Sequence, residues 1–293
     1  MNKVEFSLAD EEKANDNTIN IFSIASGFNY EQLLRIMMLS AVKHTKHKLV
    51  FWLIDSLVSP DLRSSLDVLS KKYHFTVRFV HYKWPSWLNK QTSRMRTVWA
   101  YKVLFLDVLF PLDLKRILFV DADQVIRADL YDLYSIDMKD HVYGFTAFCD
   151  SRKEAEGYRF WKTGYWKDFL QGRPYHISAM FLVDLQRLRA TLTADMLRGH
   201  YQILSRDAES LSNLDQDLPN HIQPRIPIFT LPKDGLWCES WCSDEDKPKA
   251  KIIDLCSNPA RAESKLDSAM RIIPEWRALN EQVLRDISPP ELA

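Results

Sequence analysis

Glycine is scarce in this sequence, which has only 7 glycines in 293 residues. Loops that cradle phosphate through backbone N–H groups need several glycines at fixed spacings. Neither G-x-G-x-x-G nor G-x-x-x-x-G-K-[ST] occurs in the chain. The sequence therefore excludes both glycine-rich phosphate loops, and any bound phosphate must be held by side chains and a metal ion.

The chain also lacks long hydrophobic runs and a net charge. No apolar stretch approaches the roughly 20 residues of a membrane-spanning helix, and the beginning, MNKVEFSLADEEKANDN, is too polar for a signal peptide. The 39 basic residues balance 39 acidic ones, so charge does not indicate nucleic acid or an anionic membrane as a partner. We therefore expect no nucleic-acid partner and no membrane span.

Cysteine is limited to four residues, Cys149, Cys238, Cys242 and Cys256. They lack the tighter pairs and the histidines that zinc sites use. Two disulfides, one disulfide with free thiols, and buried free thiols are all compatible with this spacing.

Hydrophobic residues make up 46% of the chain, enough to bury the core of one large α/β domain. Residues 1–17 are rich in charge and almost free of aromatics, which predicts a flexible lead-in. We expect the folded domain to span residues 18–285 and a tail to span residues 286–293.

Strand and helix patterns alternate along the chain. Short apolar runs predict strands at Ile19–Ala25, Leu49–Ile54, Phe75–Val80, Arg116–Val120 and Ser178–Leu185. Helical spacing predicts helices at Tyr30–Val42, Pro60–Tyr73, Val98–Leu109, Leu188–Leu204 and Asp267–Arg285. Ser59 is the predicted N-cap of the second helix. Repeated βα units place the chain in the α/β class with a mostly parallel sheet.

Two acids, Asp121 and Asp123, directly follow the buried strand Arg116–Val120. In open α/β sheets, ligands bind outside the carboxyl ends of the strands. Two carboxylates one residue apart can hold a hard divalent cation, which neutralises the charge that grows on a departing diphosphate. A bare D-x-D pair also occurs in many surface turns. The hydrophobic strand before this pair and Gln124-Val125-Ile126 after it favour a metal site.

A second polar group is NLDQDLPN, residues 213–220. It is compatible with a helix start in which Asn213 or Ser212 is the cap and the acids lie in the first turn. Its functional interpretation places Asp215 against sugar hydroxyls and Gln216 near the anomeric carbon. Both interpretations can hold at once.

Aromatic residues are concentrated between Tyr158 and His176. Because aromatic rings stack on sugar faces, four tryptophans are candidates for recognising an acceptor: Trp161, Trp166, Trp237 and Trp241. A buried secondary core is the commoner role for such residues.

Several long segments together resemble the catalytic domains of glycosyltransferase family twenty-four, the UDP-glucose:glycoprotein glucosyltransferases. The resemblance extends from about Ile19 to Trp276. The segments that carry it are SIASGFNYEQLLRIMMLS, YKWPSWL, TVWAYKVLFLDVLFPLDLKRILFVDADQVIRADLYDL, FCDSRKEAEGYRFWKTGYW, YHISAMFLVDL, LSNLDQDLPN, LWCESWC, IIDLCSNP and RIIPEW. The related family eight shares the D-x-D strand and the D-Q-D element but not the aromatic middle.

This resemblance implies a GT-A glycosyltransferase fold, with a single Rossmann-like, mostly parallel central sheet flanked by helices. The nucleotide-binding part would span about 18–130 and the acceptor part about 131–285. The implied reaction moves glucose from UDP-glucose, with retention of the α configuration, to a terminal mannose of high-mannose N-glycans on misfolded glycoproteins. The implied location is the endoplasmic reticulum lumen, with folding-sensor domains upstream in the full-length protein.

The resemblance also assigns roles to individual residues. Asp254 would be the third metal ligand beside Asp121 and Asp123, and three oxygen donors suit Ca²⁺ or Mn²⁺. Lys102 would face the diphosphate or the sugar, and Lys265 is a further diphosphate candidate.

Other donor-site candidates lie at strand ends and on a helix. Ala25, Ser26 and Gly27 end the first strand and would let the backbone approach uracil and ribose, although an ordinary strand-to-helix turn has the same composition. Asp150 would orient the glucose, and Tyr101 would pack near the donor.

For the mechanism, we expect the cation and Lys102 to stabilise the departing UDP while the acceptor attacks the same face of the glucose. Gln216 is a neutral amide and a poor nucleophile, which favours front-side attack assisted by Gln216 and Asp215. Two alternatives stay open. One is a family-eight-like UDP-sugar transferase with a saccharide or self-glycosylation acceptor, and the other is an inactive nucleotide-sugar or glycan-binding module.

Overall fold

The computed structural model describes residues 17–207, 210–259 and 261–288. Residues 1–16 of the predicted lead-in and residues 289–293 of the predicted tail lie outside this part. Within it, the strands are β1 Thr18–Phe22, β2 Lys48–Ile54, β3 Thr76–Val80, β4 Arg116–Val120, β5 Gln124–Ile126, β6 Tyr143–Ala147, β7 His176–Asp184, β8 Phe229–Leu231, β9 Trp237–Cys238 and β10 Ile252–Asp254.

The α-helices connect these strands and cover both faces of the main sheet. They are α1 Phe28–His44, α2 Pro60–Tyr73, α3 Arg94–Leu104, α4 Leu106–Leu109, α5 Tyr131–Tyr134, α6 Gly164–Leu170, α7 Leu185–Ala190, α8 Thr193–Leu204, α9 Leu214–Ile222, α10 Lys265–Ile272 and α11 Trp276–Ile287. Short 3₁₀ helices occupy Asp55–Leu57, Lys153–Tyr158, Phe160–Lys162, Lys233–Gly235 and Lys247–Lys249. None of the helices in the described residues is long and apolar enough to cross a bilayer.

The main sheet has seven strands in the order β3-β2-β1-β4-β7-β6-β8. β7 pairs antiparallel with both of its neighbours, and every other pair in this sheet is parallel. The mostly parallel α/β architecture predicted from the sequence is therefore confirmed. The carboxyl ends of β1, β4 and β6 lie at one edge, and the beginning of β7 reaches the same edge.

The centre of the sheet is held by a ladder of three phenylalanines. Phe119 of β4, Phe181 of β7 and Phe145 of β6 are register partners across adjacent strands. Their rings stack with centroid separations of 4.7 and 4.6 Å. Cross-strand aromatic pairs of this kind fix strand register, because a shift of one residue would turn each ring to the other face.

A second, smaller sheet with the order β5-β10-β9 accompanies the main one. β5 begins four residues after the end of β4 and pairs antiparallel with β10, with Gln124 opposite Asp254. The sequence-based expectation of one central sheet omits this element. Strands of two or three residues are too short to show periodicity, and their pairing joins segments that are far apart in the chain.

Three of the helices predicted as continuous are each divided into two in the structure. The helix predicted at Val98–Leu109 begins earlier, at Arg94, and breaks at Phe105. The helix predicted at Leu188–Leu204 divides into α7 and α8. The last predicted helix is interrupted by Pro274, which has no N–H to continue the ladder, and its second part runs on to Ile287.

The start of α2 agrees with its prediction, and its cap also anchors α1. The Ser59 hydroxyl accepts a hydrogen bond from the Leu62 N–H at 3.0 Å and donates one to Glu31 Oε2 at 2.7 Å. Glu31 is buried on α1. One hydroxyl therefore satisfies a helix end and a buried carboxylate together.

We predict that Ser59→Ala lowers the free energy of unfolding by at least about 1 kcal/mol, the typical loss for an N-cap hydroxyl. The measurement is urea denaturation. Ser64→Ala is the matched control, since the Ser64 hydroxyl is exposed on the same helix and donates to the Pro60 carbonyl at 3.0 Å, its one partner among the described residues. Equal losses in the two variants would contradict the anchoring role of Ser59.

Candidate functional site

The candidate site lies at the carboxyl edge of the main sheet, where β1 and β4 are parallel neighbours. Asp121 directly follows β4, and Ala25, Ser26 and Gly27 follow β1 before α1 begins. Gly27 has φ 93°, a conformation that favours glycine. Ser26 Oγ is buried and has no hydrogen-bond partner among the described residues. Buried polar atoms are normally paired, so this hydroxyl is suited to receive a ligand.

A buried lysine joins the two acidic groups that the sequence predicted. Lys102 Nζ lies 3.1 Å from Asp121 Oδ2 and 2.6 Å from Asp215 Oδ2. Its side chain is 4% exposed, and its ammonium lies 4.6 Å from the centre of the Phe119 ring. Burial alone would lower the pKa of Lys102, but the charges of Asp121 and Asp215 outweigh it and raise that pKa. The ammonium therefore remains charged and holds both acids.

The carboxyl groups at this edge repel one another. Burial raises the pKa of Asp121 to about 8; Lys102 opposes the rise, and Asp123, Asp215 and Asp254 add to it. Burial and the charge of Asp123 raise the pKa of Asp254 to about 7, against the opposing charge of Lys265. The Asp121 side chain is still 27% exposed, so a ligand can reach it. A cation at this edge would relieve the repulsion.

Each of the three predicted metal ligands has its own N–H donor. Asp121 binds Lys102, as described above. Asp123 Oδ2 lies 2.5 Å from Lys265 Nζ, which also donates to the Leu255 carbonyl at 2.5 Å. Asp254 Oδ1 accepts a hydrogen bond from Gln124 Nε2 at 3.0 Å. The structure thus places the three acids at one edge of the sheet, close enough for their charges to repel one another. A lysine or a glutamine binds each of them.

The donor set at this edge fits a hard cation. The three acids provide only carboxylate oxygens, the ligands that Ca²⁺ and Mn²⁺ accept. However, the three acids are not the residues with the closest spacing. Among the described residues, the possible ligand atoms that lie within 4.8 Å of one another belong to Cys238, Asp254 and Cys256. A shared cation would therefore require the three acids to draw together and Lys265 to release Asp123.

The start of α9 carries the sugar-side residues. Asp215 Oδ2 also accepts a hydrogen bond from Ser178 Oγ at 2.8 Å. Gln216 Nε2 donates to the Tyr175 hydroxyl at 3.2 Å, and this hydroxyl donates to Asp217. Residues at the beginning of β7 thus orient the acid and the amide of α9.

The predicted cap of α9 differs in detail. Asn213 occupies the N-cap position, but its side chain makes no capping bond within the described residues. Instead, Asp217 Oδ2 accepts the Asn213 backbone N–H at 2.8 Å. A capping box satisfies the same N–H from the third helical residue, and here the fourth does so. Asp217 therefore stabilises the helix start while it also binds Tyr175.

Sequence reasoning missed several polar residues that position this site. Asn220 accepts the His176 N–H at 2.9 Å and donates to the His176 carbonyl at 2.8 Å, which ties α9 to β7. Side-chain hydrogen bonds also hold three acids: Gln124 donates to Asp254, Tyr175 to Asp217 and Ser178 to Asp215. Gln124 and Ser178 could have been identified because each is a polar residue in an otherwise apolar strand. A buried polar side chain needs a hydrogen-bond partner, which indicates a specific role.

Two predicted donor-site residues make no hydrogen bond or ion pair with the acids and lysines of the site within the described residues. The Tyr101 hydroxyl donates to the Tyr82 carbonyl at 2.9 Å, and its ring packs against Trp84 and Phe105 in the core. Asp150 is exposed and lies three residues after β6, at the same edge of the sheet.

The aromatic middle of the chain forms a secondary core. Trp161, Trp237 and Trp241 are buried, and Trp161 stacks on Tyr175 with centroids 5.9 Å apart. Trp166 is half-buried. For the three buried tryptophans, the structure favours the core interpretation over direct contact with an acceptor.

Comparison with known proteins agrees with this fold. Residues 19–285 match the family model Glucosyltransferase 24. The chain is 55% identical over 260 residues to the UDP-glucose:glycoprotein glucosyltransferase of Drosophila melanogaster, which covers 89% of this chain and 17% of that protein. It is 52% identical over 268 residues to human UDP-glucose:glycoprotein glucosyltransferase 1, which covers 92% of this chain and 17% of that protein. The chain thus spans about a sixth of the length of these relatives.

A solved structure of the galactosyltransferase LgtC in complex with donor and acceptor sugar analogs has the same fold. The TM-score is 0.65 at 18% identity, and the match covers 93% of this chain and 98% of that one. The predicted GT-A fold is therefore confirmed. Together with the family match over residues 19–285, this shows that the chain belongs to the glucosyltransferase 24 family.

Proposed function

We propose that this domain transfers glucose from UDP-glucose to a terminal mannose of high-mannose N-glycans on misfolded glycoproteins, with retention of configuration. The observation that carries the proposal is the connected group at the sheet edge, in which buried Lys102 links Asp121, on the diphosphate side, to Asp215, on the sugar side. The names of the relatives support the donor and the glycoprotein acceptor. The N-glycan, the endoplasmic reticulum lumen and the upstream folding-sensor domains follow from the family resemblance.

We assign Asp121, Asp123 and Asp254 to a divalent cation, Ca²⁺ or Mn²⁺. When bound, the cation supplies the positive charge that offsets the charge growing on the departing diphosphate. Lys102 keeps Asp121 and Asp215 in a fixed relation, since its ammonium binds both. Lys265 is 27% exposed, and we infer that its ammonium turns from Asp123 to a phosphate oxygen when the donor binds.

On the sugar side, the acid and the amide of α9 have different tasks. Asp215 is held by Lys102 and Ser178 and would accept hydrogen bonds from glucose hydroxyls. Gln216 would place its amide beside the anomeric carbon, where it stabilises positive charge by its carbonyl dipole. A neutral amide is a weak nucleophile, so we infer attack by the acceptor on the same face that UDP leaves. Ala25, Ser26 and Gly27 would receive the nucleoside.

We predict that the chain transfers label from radiolabelled UDP-glucose to a denatured high-mannose glycoprotein when Ca²⁺ or Mn²⁺ is present. Enzymatic removal of the N-glycan from the product should release the label. Transfer only to a small saccharide or to a tyrosine would favour the family-eight-like alternative. Absence of product with every cation tested would favour a binding module.

We predict that Asp254→Asn weakens Ca²⁺ binding, measured by calorimetry with UDP present, by more than about 100-fold, since even outer-shell partners contribute 10–100-fold. The free energy of unfolding without cation should not fall, because the amide keeps an acceptor for Gln124 and removes repulsion with Asp123. Asp234→Asn changes an exposed acid of the same region and is the matched control. Unchanged Ca²⁺ affinity in Asp254→Asn would remove Asp254 from the ligand set.

We predict that Ca²⁺ affinity rises between pH 6 and pH 8. The pKa values of Asp121 and Asp254 are raised from 3.8 to about 8 and about 7, so the folded chain retains protons that the unfolded chain has lost. Without cation, these two groups therefore make the free energy of unfolding fall as pH rises from about 4 to 8. A cation must displace the protons, which strengthens its binding by up to about tenfold per pH unit for each proton displaced.

Calorimetry of Ca²⁺ binding at several pH values, with UDP present, measures this dependence. The Asp254→Asn variant should show a shallower slope than the unmodified chain because it lacks one of the two protons. Affinity that is independent of pH in the unmodified chain would show that these carboxyls do not bind the cation.

A further inference from the structure

The four cysteines converge beside the candidate cation site, although the proposed function uses none of them. Cys149 follows β6, Cys238 ends β9, Cys242 lies in the turn after β9, and Cys256 follows β10. Each of the four is a free thiol in the structure. The four cysteines thus lie at or after the ends of three strands, β6, β9 and β10.

The inner pair of this cluster lies against Asp254. Cys238 and Asp254 are register partners across the parallel strands β9 and β10. Cys256 is two residues beyond Asp254, the last residue of β10. The two sulfur atoms and a carboxylate oxygen of Asp254 all lie within 4.8 Å of one another. The two sulfur atoms therefore need to approach by no more than about 3 Å to form an S–S bond of about 2 Å.

The outer pair joins two loops that other bonds already hold together. Cys149 Sγ lies 3.2 Å from Ser151 Oγ in the loop after β6. The Ser243 N–H donates to Ser151 Oγ at 2.8 Å, and Arg152 Nε donates to the Cys242 carbonyl at 2.9 Å. The loops therefore stay in place whether or not the two sulfur atoms are bonded.

The thiols form two pairs rather than a cage. Ser151 links Cys149 to the residue after Cys242, and the sulfur atoms of Cys238 and Cys256 lie within 4.8 Å of each other. A zinc ion with four cysteine ligands needs all four sulfur atoms around one centre. The closely spaced set in the described residues instead contains two of the cysteines and Asp254. Two neighbouring pairs of thiols match two disulfides better than one metal centre.

We propose that the cysteines are a thiol–disulfide site that closes as two bridges, Cys149–Cys242 and Cys238–Cys256, and that the inner bridge fixes Asp254 for cation binding. The second half of this proposal rests on the proposed cation site; the first half does not. Cys149 and Cys256 are partly exposed, which gives an oxidant access to one member of each pair.

The oxidant is a low-molecular-weight disulfide such as oxidised glutathione. One cysteine thiolate attacks a sulfur of the oxidant, its S–S bond breaks, and one oxidant thiol leaves. The second cysteine of the pair then attacks the mixed disulfide and releases the other oxidant thiol. Two protein thiols are thereby oxidised to one disulfide, and one oxidant disulfide is reduced to two thiols that take up the two protons.

Bridge formation is tested on the 293-residue chain without any assay of transfer. The chain is incubated with oxidised glutathione, quenched in acid, alkylated in denaturant, digested without reduction and mapped by mass spectrometry. We expect the pairs Cys149–Cys242 and Cys238–Cys256, and we expect Cys149→Ser to lose only the first. Four alkylated thiols, a Cys238–Cys242 bridge, or a stoichiometric thiophilic metal that Cys→Ser variants lose would each overturn the proposal.

The link to the cation site is tested by Ca²⁺ calorimetry on the oxidised and the reduced chain, with UDP present. We expect reduction to weaken Ca²⁺ binding about tenfold, as loss of a partner that orients a metal ligand does. The double variant Cys149→Ser/Cys242→Ser lacks only the outer bridge and should retain the affinity of the oxidised chain. Cys256→Ser should match the reduced chain, and if this variant does not fold, reduction of the unmodified chain supplies the same comparison.

Equal Ca²⁺ affinity in the two redox states would overturn the link to Asp254. A chain that forms both bridges and shows the affinity change, yet transfers no glucose, would contradict the proposed function alone. The two failures are therefore distinguishable.

Discussion

The site depends on one buried charge, the ammonium of Lys102 between Asp121 and Asp215. Burial of a lysine ammonium away from water costs free energy unless anions are buried with it. Removal of one partner leaves the other charges unpaired. Lys102 lies on α3, Asp121 follows β4 and Asp215 lies on α9, so this interaction joins two elements that are close in the chain to one that is far away. The Phe119 ring lies 4.6 Å from the ammonium and connects it to the aromatic ladder of the sheet. The geometry of the cation side and of the sugar side is thus set together.

The parts of this arrangement that the sequence predicted are those with a local signal. The run RILFV is buried on both faces and forms β4 with the predicted bounds, and Asp121 and Asp123 emerge from its end as expected. The role of Lys102 at the diphosphate or the sugar stays a prediction, and the structure places its ammonium against Asp121 and Asp215. Local patterns locate the residues at the edge of the sheet because hydrophobic periodicity and chain direction are local properties.

The parts that could not be predicted are contacts between segments far apart in the chain. Lys265 binds Asp123 across 142 positions, and Gln124 binds Asp254 across 130. Neither pair leaves a pattern in its own neighbourhood, since the small sheet that carries Asp254 has strands of only two and three residues. The hydrogen bonds of Tyr175 and Ser178 likewise follow from the antiparallel placement of β7 beside β4, which composition alone does not specify. Tertiary pairing, not propensity, decides these positions.

The reversed direction of β7 has a further consequence for how the domain can diverge. A strand that runs against its neighbours delivers its first residues, not the loop that follows it, to the ligand edge. Tyr175 and Ser178 hold α9 from this rigid beginning, and Asn220 ties the helix to the backbone of His176. The position of Asp215 is therefore set from β7 as well as from the connection between α8 and α9, in which the Leu211 carbonyl accepts a hydrogen bond from Arg96 Nη1 at 3.0 Å. A substitution at the start of β7 would consequently displace the acid and the amide of α9 together, although neither lies on that strand.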